Sequence, residues 1–177
     1  EDEWRTARDS ILNAHFTSPD IVKLQWQIAE KLGFKGGKFL ETSAGIGYYL
    51  GMMPPDLAGR THKDAVEKDI LTGKMLKMLY PSANVNIQPF EEHLSPDNFY
   101  DLVASNVPFG EYGVHDPRYN KHQAYIHDYF FLKSADKVRP GGLVMHVTSM
   151  GTMDKLDPSI RKELQAKGLE LVSAIRF

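Results

Sequence analysis

The chain has 177 residues, of which 42% are hydrophobic and 25% are charged, and it contains no cysteine. This composition excludes fibrous, disordered and disulfide-stapled proteins and fits one domain with a single core. The formal net charge of −2 at pH 7 excludes a strongly basic surface, so we expect this domain alone to bind DNA weakly. No apolar run approaches the roughly 20 residues of a membrane helix, and the N-terminus is acidic, so we predict a cytoplasmic protein without a membrane partner.

The first half of the chain alternates predicted helices and strands. A helix over residues 17–33 begins with a cap at Ser18. Its apolar stripe consists of Ile21, Leu24, Ile28 and Leu32. A strand over 38–41 and a glycine-rich turn follow, and a strand around 65–67 leads into a second long helix. The predicted apolar face of that helix consists of Leu71, Met75, Met78 and Leu79.

The second half continues the alternation to the last residue. We predict strands over 83–87, 100–105, 142–148 and 169–177, with helices over 124–138 and from 157. Strands alternating with helices predict an α/β fold with a doubly wound, mostly parallel sheet and helices on both faces. We expect residues 1–177 to form one domain, and because the chain stops on an apolar strand, we expect it to be part of a longer protein.

The turn after the first strand carries a candidate cofactor site. Gly45 and Gly47 permit a tight turn and close approach, and Glu67, at the end of the next strand, suits a ribose hydroxyl. The next glycine is one position late for a dinucleotide pattern, and Glu41 at the mouth of the strand would repel a pyrophosphate. The ammonium and sulfonium of S-adenosylmethionine suit that carboxylate, so we favour this cofactor over NAD. The alternative is a packing turn with a solvated Glu67.

The stretch LVASNVPFG ends the fourth predicted strand with an asparagine. The Asn106 side-chain oxygen and the Val107 carbonyl are two acceptors that could face the two protons of an adenine amine. Such contacts would favour the pyramidal amine, whose lone pair can attack a methyl group. Pro108 fixes the chain direction, and Phe109 could stack on a base swung out of its helix. The alternative is a plain turn, since Asn, Pro and Gly are common turn residues.

Five segments in order resemble one family. NAHFTSP, FLETSAGIG, AVEKD, SNVPFG and IHDYFFLKSADKVRPGGLVMHVTS are similar to motifs of S-adenosylmethionine-dependent N6-adenine DNA methyltransferases. The likeness is greatest to the large phage and plasmid proteins that fuse a methyltransferase to a helicase. It implies a Rossmann-like class I methyltransferase fold, whose final antiparallel strand is missing here, and an adenine-specific DNA methyltransferase activity.

The resemblance also implies roles for individual residues. The residues expected to surround the methionine end of the cofactor are Phe16, Thr17, Glu41, Ser43, Ala44, Gly45 and Gly47. Glu67 is expected to hold the ribose and Phe90 to stack on the cofactor adenine. The residues expected to activate and stack the target base are Asn106, Val107, Pro108 and Phe109.

The sequence departs from the family at three points. Val107 stands where relatives have a proline, which leaves its carbonyl available. Relatives bind the cofactor adenine amine with an Asp, whereas this chain reads QPFEE, so Gln88 or Glu91 would have to serve. The family's last strand and its separate DNA-reading region are absent from this sequence, and the recognised DNA site and a role in restriction, protection or regulation are not specified.

The seven histidines are scattered, and we predict no metal site. We expect His146 to lie in or near the core, and His15 is a candidate cofactor contact within NAHFTSP. The stretch 111–123 suits a loop over the substrate site, where Arg118, Lys121 and His122 either meet a phosphate or lie in a solvated, mobile segment.

Two other functions stay open. Related enzymes use a similar motif on a protein glutamine amide, and others modify RNA. A methyltransferase-like domain without catalysis, acting as a binding or scaffolding module, is the third reading, and QPFEE and the missing recognition region favour it.

Overall fold

A computed structural model describes residues 17–119 and 124–177. The predictions for His15, Phe16, Lys121 and His122 lie outside the described residues. A five-stranded, fully parallel sheet has the order β3-β2-β1-β4-β5. Its strands are β1 Gly37–Glu41, β2 Thr61–Glu67, β3 Asn84–Ile87, β4 Tyr100–Asn106 and β5 Val138–Val147.

Helices cover both faces of this sheet. They are α1 Pro19–Lys31, α2 Tyr48–Gly51, α3 Pro55–Ala58, α4 Ile70–Leu79, α5 Ile126–Lys137 and α6 Ser159–Ala166, with a 3₁₀ turn at Phe90–Glu92. One hydrophobic cluster packs α1 and α4 on the sheet, and a second packs α5 and α6 on it. The predicted doubly wound α/β fold is confirmed. The strand order reverses between β1 and β4, which is where such sheets bind ligands.

Helix α1 begins as predicted but buries a different face. The Ser18 hydroxyl accepts a hydrogen bond from the Asp20 N–H at 3.4 Å. The buried residues are Val22, Trp26 and Ala29, whereas Leu32 of the predicted stripe is exposed. Trp26 determines this orientation, because its ring lies 5.3 Å from that of Phe39 and its indole N–H donates to the Tyr49 carbonyl at 3.1 Å.

The apolar face predicted for α4 is not the face that the helix buries. Leu71, Met75, Met78 and Leu79 are all exposed, and the buried positions are Gly73 and Leu76. Gly73 permits the close approach of α4 to β3, since a Cβ atom at this position would lie 2.8 Å from Cγ1 of Ile87. The helix therefore packs through Gly73 and Leu76, and its other large apolar side chains face outward.

The predicted strand over 169–177 is also wrong. This segment has no strand structure, and Leu171, Val172, Ile175 and Phe177 are exposed. Among the described residues, β5 pairs with β4 alone. Apolar residues make a strand only where a neighbouring edge pairs with their backbone, and this segment does not pair with the outer edge of β5. No helix within 17–119 and 124–177 is long and apolar enough to cross a membrane.

Candidate functional site

Strands β1 and β4 bring the two predicted motifs to the same edge of the sheet. Their ladder pairs Glu41 with Ala104, so Asn106 ends β4 level with the turn that follows β1. Ser105 links the two segments, because its fully buried hydroxyl accepts from the Ser43 N–H at 3.0 Å and donates to the Ser43 carbonyl at 3.1 Å. The asparagine therefore lies beside the glycine-rich turn.

The turn itself is held by Glu67 at the end of β2. One carboxylate oxygen of Glu67 accepts from the Gly45 N–H at 2.7 Å, and the other accepts from the Asp69 N–H at 2.8 Å. The Ala44 N–H donates to the Val66 carbonyl at 2.9 Å. Burial raises the pKa of Glu67, although its two N–H donors oppose that shift. Each carboxylate oxygen has a second lone pair that can accept a further donor.

Glu41 is a buried carboxyl group at the carboxyl end of β1. Its Oε2 atom has no hydrogen-bond partner among the described residues. Burial raises the pKa of Glu41 well above its usual range, and the nearby charge of Glu67 raises it further. A buried oxygen of this kind is costly unless a donor meets it, so the position suits a cationic or N–H group of a ligand.

The two predicted cofactor glycines have different surroundings. Gly45 has φ 54°, and a Cβ atom there would have no heavy atom within 4 Å, so the space beside it is open. Gly47 has φ 83°, and a Cβ atom there would lie 2.5 Å from the Tyr80 ring and 2.6 Å from Leu76. The missing side chain of Gly47 thus permits packing against α4, whereas that of Gly45 leaves room for a ligand. Thr17 is buried just before α1, Ala44 is buried, and Ser43 is half-buried.

The four residues after Ser105 leave the sheet in a defined direction. Asn106 is half-buried, and the Val107 N–H donates to the Val147 carbonyl of β5 at 3.0 Å. The Val107 side chain is buried in the cluster that contains Ile126 and Tyr129 of α5. Pro108 is half-buried, and Phe109 is 38% exposed, so part of its ring is accessible to solvent.

Phe90 does not have the predicted position of a stacking platform. It is only 2% exposed, and its ring lies 4.9 Å from that of Phe130 and meets Tyr129 edge-on at 6.2 Å. The His93 ring is also stacked on it at 6.4 Å, so with these three rings around it Phe90 offers no open face for a cofactor adenine. Gln88 and Glu91 remain partly exposed beside it.

Arg118 does not offer a free cation for phosphate. Its guanidinium lies 2.8 Å from a carboxylate oxygen of Asp97 and 2.9 Å from one of Asp136. The segment before residue 120 is therefore tied to the domain by ion pairs rather than simply solvated. No group of three or more His, Asp or Glu residues suited to a metal occurs within the described ranges.

His146 lies on β5 near the core, as expected. Its Nε2 atom lies 2.9 Å from the Ser134 hydroxyl, and burial lowers its pKa to about 3. The imidazole is therefore neutral at physiological pH.

Sequence reasoning missed Ser105, Asp116 and Lys133. Ser105 was detectable as a polar residue inside an apolar strand, one position before Asn106. Lys133 is a charged residue within the apolar run YFFLKSA of a helix expected to cover the sheet. Asp116, in a polar loop, carried no signal of its burial.

The parallel strand order and the helices on both faces of the sheet are those of a Rossmann-like class I methyltransferase fold. A S-adenosylmethionine-dependent methyltransferase from Clostridium acetobutylicum matches with a TM-score of 0.58 and 11% identity, over 88% of this chain and 60% of that one. A S-adenosylmethionine-dependent O-methyltransferase from Thermotoga maritima matches with a TM-score of 0.57 and 13% identity, over 90% of this chain and 53% of that one. These likenesses concern the fold alone.

One curated protein is similar in sequence. Defense against restriction protein B of Escherichia phage P1 is 31% identical over 140 residues. The match covers 75% of this chain and 6% of the phage protein, so the chain spans a small part of that relative's length. No protein-family model matches the chain.

Proposed function

We propose that this domain transfers a methyl group from S-adenosylmethionine to the N6 amine of adenine in DNA. The observation that carries the proposal is the Ser105–Ser43 link, which places Asn106 beside the turn that contains Glu41 and Gly45. Similarity to a phage protein named for defense against restriction supports DNA as the substrate.

The residues of the turn fit the cofactor. The unpartnered Oε2 atom of Glu41 would meet its ammonium, and the open space at Gly45 would admit it. Glu67 would accept from the ribose hydroxyls with the lone pairs that Gly45 and Asp69 leave unused. When bound, S-adenosylmethionine supplies a methyl group on a positively charged sulfur.

The chain's own groups would prepare the acceptor. The Asn106 side-chain oxygen and the Val107 carbonyl would accept the two amino protons, which localises the lone pair on the adenine nitrogen. The buried Val107 side chain and the Val107–Val147 hydrogen bond fix the position of that carbonyl. Phe109, partly exposed, would stack on the flipped base. The nitrogen releases one proton to water after the transfer.

A binding module without catalysis is the second candidate. The burial of Phe90 favours it, because the ring expected to stack on the cofactor adenine is packed inside the core. The planar amide of a protein glutamine and the exocyclic amine of an RNA base also present two protons to Asn106. They are therefore tested as acceptors beside DNA.

Two measurements test the proposal. Calorimetric titration with S-adenosylhomocysteine measures cofactor binding, and the absence of heat at millimolar ligand would favour the scaffold. Transfer of a labelled methyl group to adenine-containing DNA, RNA and protein identifies the acceptor. Asn106→Ala should abolish transfer to DNA. Asn84→Ala, at the opposite end of the sheet, is the matched control and should keep it, and equal labelling by both variants would refute the assignment.

A further inference from the structure

Three segments of the domain meet at the side chain of Lys133. Its Nζ atom lies 2.7 Å from the Phe90 carbonyl, 3.1 Å from the Glu91 carbonyl and 3.2 Å from a carboxylate oxygen of Asp116. Lys133 is 4% exposed, so its charge is almost removed from water. An ammonium group has three protons and here has three acceptors, an arrangement that compensates the burial of a charge.

Asp116, the loop residue that contacts Lys133, has further hydrogen-bond partners. Asp116 is buried and accepts from the Tyr129 hydroxyl at 2.7 Å and from the Arg118 N–H at 3.1 Å. Although burial opposes it, the Tyr129 hydrogen bond and the Lys133 charge lower the pKa of Asp116. The carboxylate is thus ionised beside the ammonium, and the loop is fastened to α5 at this residue.

The other two acceptors of Lys133, the Phe90 and Glu91 carbonyls, belong to the turn that follows β3. The Gln88 N–H of that segment donates to the Glu67 carbonyl at 3.0 Å, so the turn adjoins the proposed ribose ligand. Asp116, in turn, lies in the loop that follows the proposed catalytic residues Asn106 to Phe109. The single ammonium of Lys133 therefore connects the edge of the proposed cofactor site with the proposed substrate loop.

We propose that Lys133 is a positioning residue that couples cofactor binding to the ordering of the substrate loop around Asp116. This inference rests on the proposed function. A cofactor that shifts the Phe90–Glu91 turn changes the geometry of two of the three bonds of Lys133. Because the same nitrogen holds Asp116, the loop responds, and substrate in the loop strengthens cofactor binding by the same factor.

Hydrogen exchange of the backbone amides at 110–119 tests this coupling. In the wild-type chain, saturating S-adenosylhomocysteine should slow their exchange by about 5-fold or more, the lower range of typical coupling between sites. Lys133→Met keeps an unbranched apolar side chain of similar volume but removes the charge and the three hydrogen bonds. In this variant the ligand should leave the exchange of 110–119 unchanged.

Two further variants sharpen the test. Asp116→Asn keeps an oxygen acceptor but removes the negative charge, and it should reduce the loop response without abolishing it. Lys63→Met is the matched control, because the Lys63 ammonium donates to the Ala58 carbonyl at 2.8 Å and not to either segment. It should respond to the ligand like the wild type.

The outcomes separate this inference from the proposed function. If S-adenosylhomocysteine binds the wild type and the loop responds equally in the wild type and Lys133→Met, the coupling is refuted while cofactor binding stands. If the ligand does not bind the wild type at all, both fail. Should circular dichroism show that Lys133→Met does not fold, Asp116→Asn decides, and a loop response equal to that of the wild type overturns the coupling.

Discussion

The hydroxyl group of Ser105 both accepts from the N–H and donates to the carbonyl of Ser43. One buried side chain on β4 thereby replaces the backbone pairing that ends when β1 gives way to the glycine-rich turn. The separation between the turn and Asn106 depends on this contact.

Ser105→Ala should therefore weaken both folding and the site. It leaves the Ser43 N–H and carbonyl without their partner, which we expect to cost about 1–3 kcal/mol of unfolding free energy. Urea denaturation measures this cost, and methyl transfer should fall with it. The exposed Ser82→Ala is the control and should change stability by less than about 0.5 kcal/mol.

Glu41→Gln should stabilise the protein at alkaline pH and weaken cofactor binding. Because burial raises the pKa of Glu41 above 4.5, the stability that this group contributes is full below that value and is lost as pH rises through the folded-state pKa. The variant has no carboxyl group to ionise at this position, so it does not lose stability as the pH rises. Its melting temperature should exceed that of the wild type at pH 8, and the difference should shrink towards pH 4. A difference that does not change with pH would contradict the assigned titration.

The two glycines of the turn should separate stability from binding. Gly47→Ala places a Cβ atom 2.5 Å from the Tyr80 ring at φ 83°, so its unfolding free energy should fall by more than the ~1–2 kcal/mol of left-handed backbone strain alone. Gly45→Ala meets open space and should lose only about that strain, yet it should bind S-adenosylhomocysteine poorly. Chemical denaturation measures the stability of both variants, and calorimetry measures their binding of S-adenosylhomocysteine. If the two variants were equally stable and lost binding equally, the two glycines would not have separate roles.

Phe90 and Phe109, the two residues expected to stack on a ligand, should differ in what their substitution affects. Phe90→Ala removes a ring that is 2% exposed and should cost about 3–5 kcal/mol of stability. Phe109→Ala, at a site 38% exposed, should cost far less but should lower the rate of methyl transfer to DNA. Thermal unfolding and single-turnover transfer measure the two effects, and a Phe109→Ala enzyme as fast as the wild type would exclude stacking on the target base.

Local patterns predicted much of the architecture but not the surroundings of individual side chains. The alternation of strands and helices was sufficient for the parallel sheet and for the placement of Asn106 on its carboxyl edge. Helix α4 shows the limit, because both of its faces are apolar and the small size of Gly73, opposite Ile87, decides which one packs.

Phe90 and the segment 169–177 show the same limit. An aromatic residue after β3 is compatible with a ligand platform or with the core, and the position of α5 decides between them. The apolar pattern of 169–177 predicts a strand, but pairing depends on a neighbouring edge that no local pattern describes. The roles of Asp116 and Lys133 likewise depend on contacts between residues 17 positions apart.

The Ser43–Ser105 contact also has a kinetic consequence, because the two residues are 62 positions apart in the chain. With β1 at the centre of an all-parallel sheet, β2 and β3 can assemble on one side of it before β4 arrives on the other. A nascent chain at that stage has the glycine-rich turn but lacks the asparagine beside it. Closing so long a loop is entropically unfavourable, so we expect the site to be completed only when β4 pairs with β1.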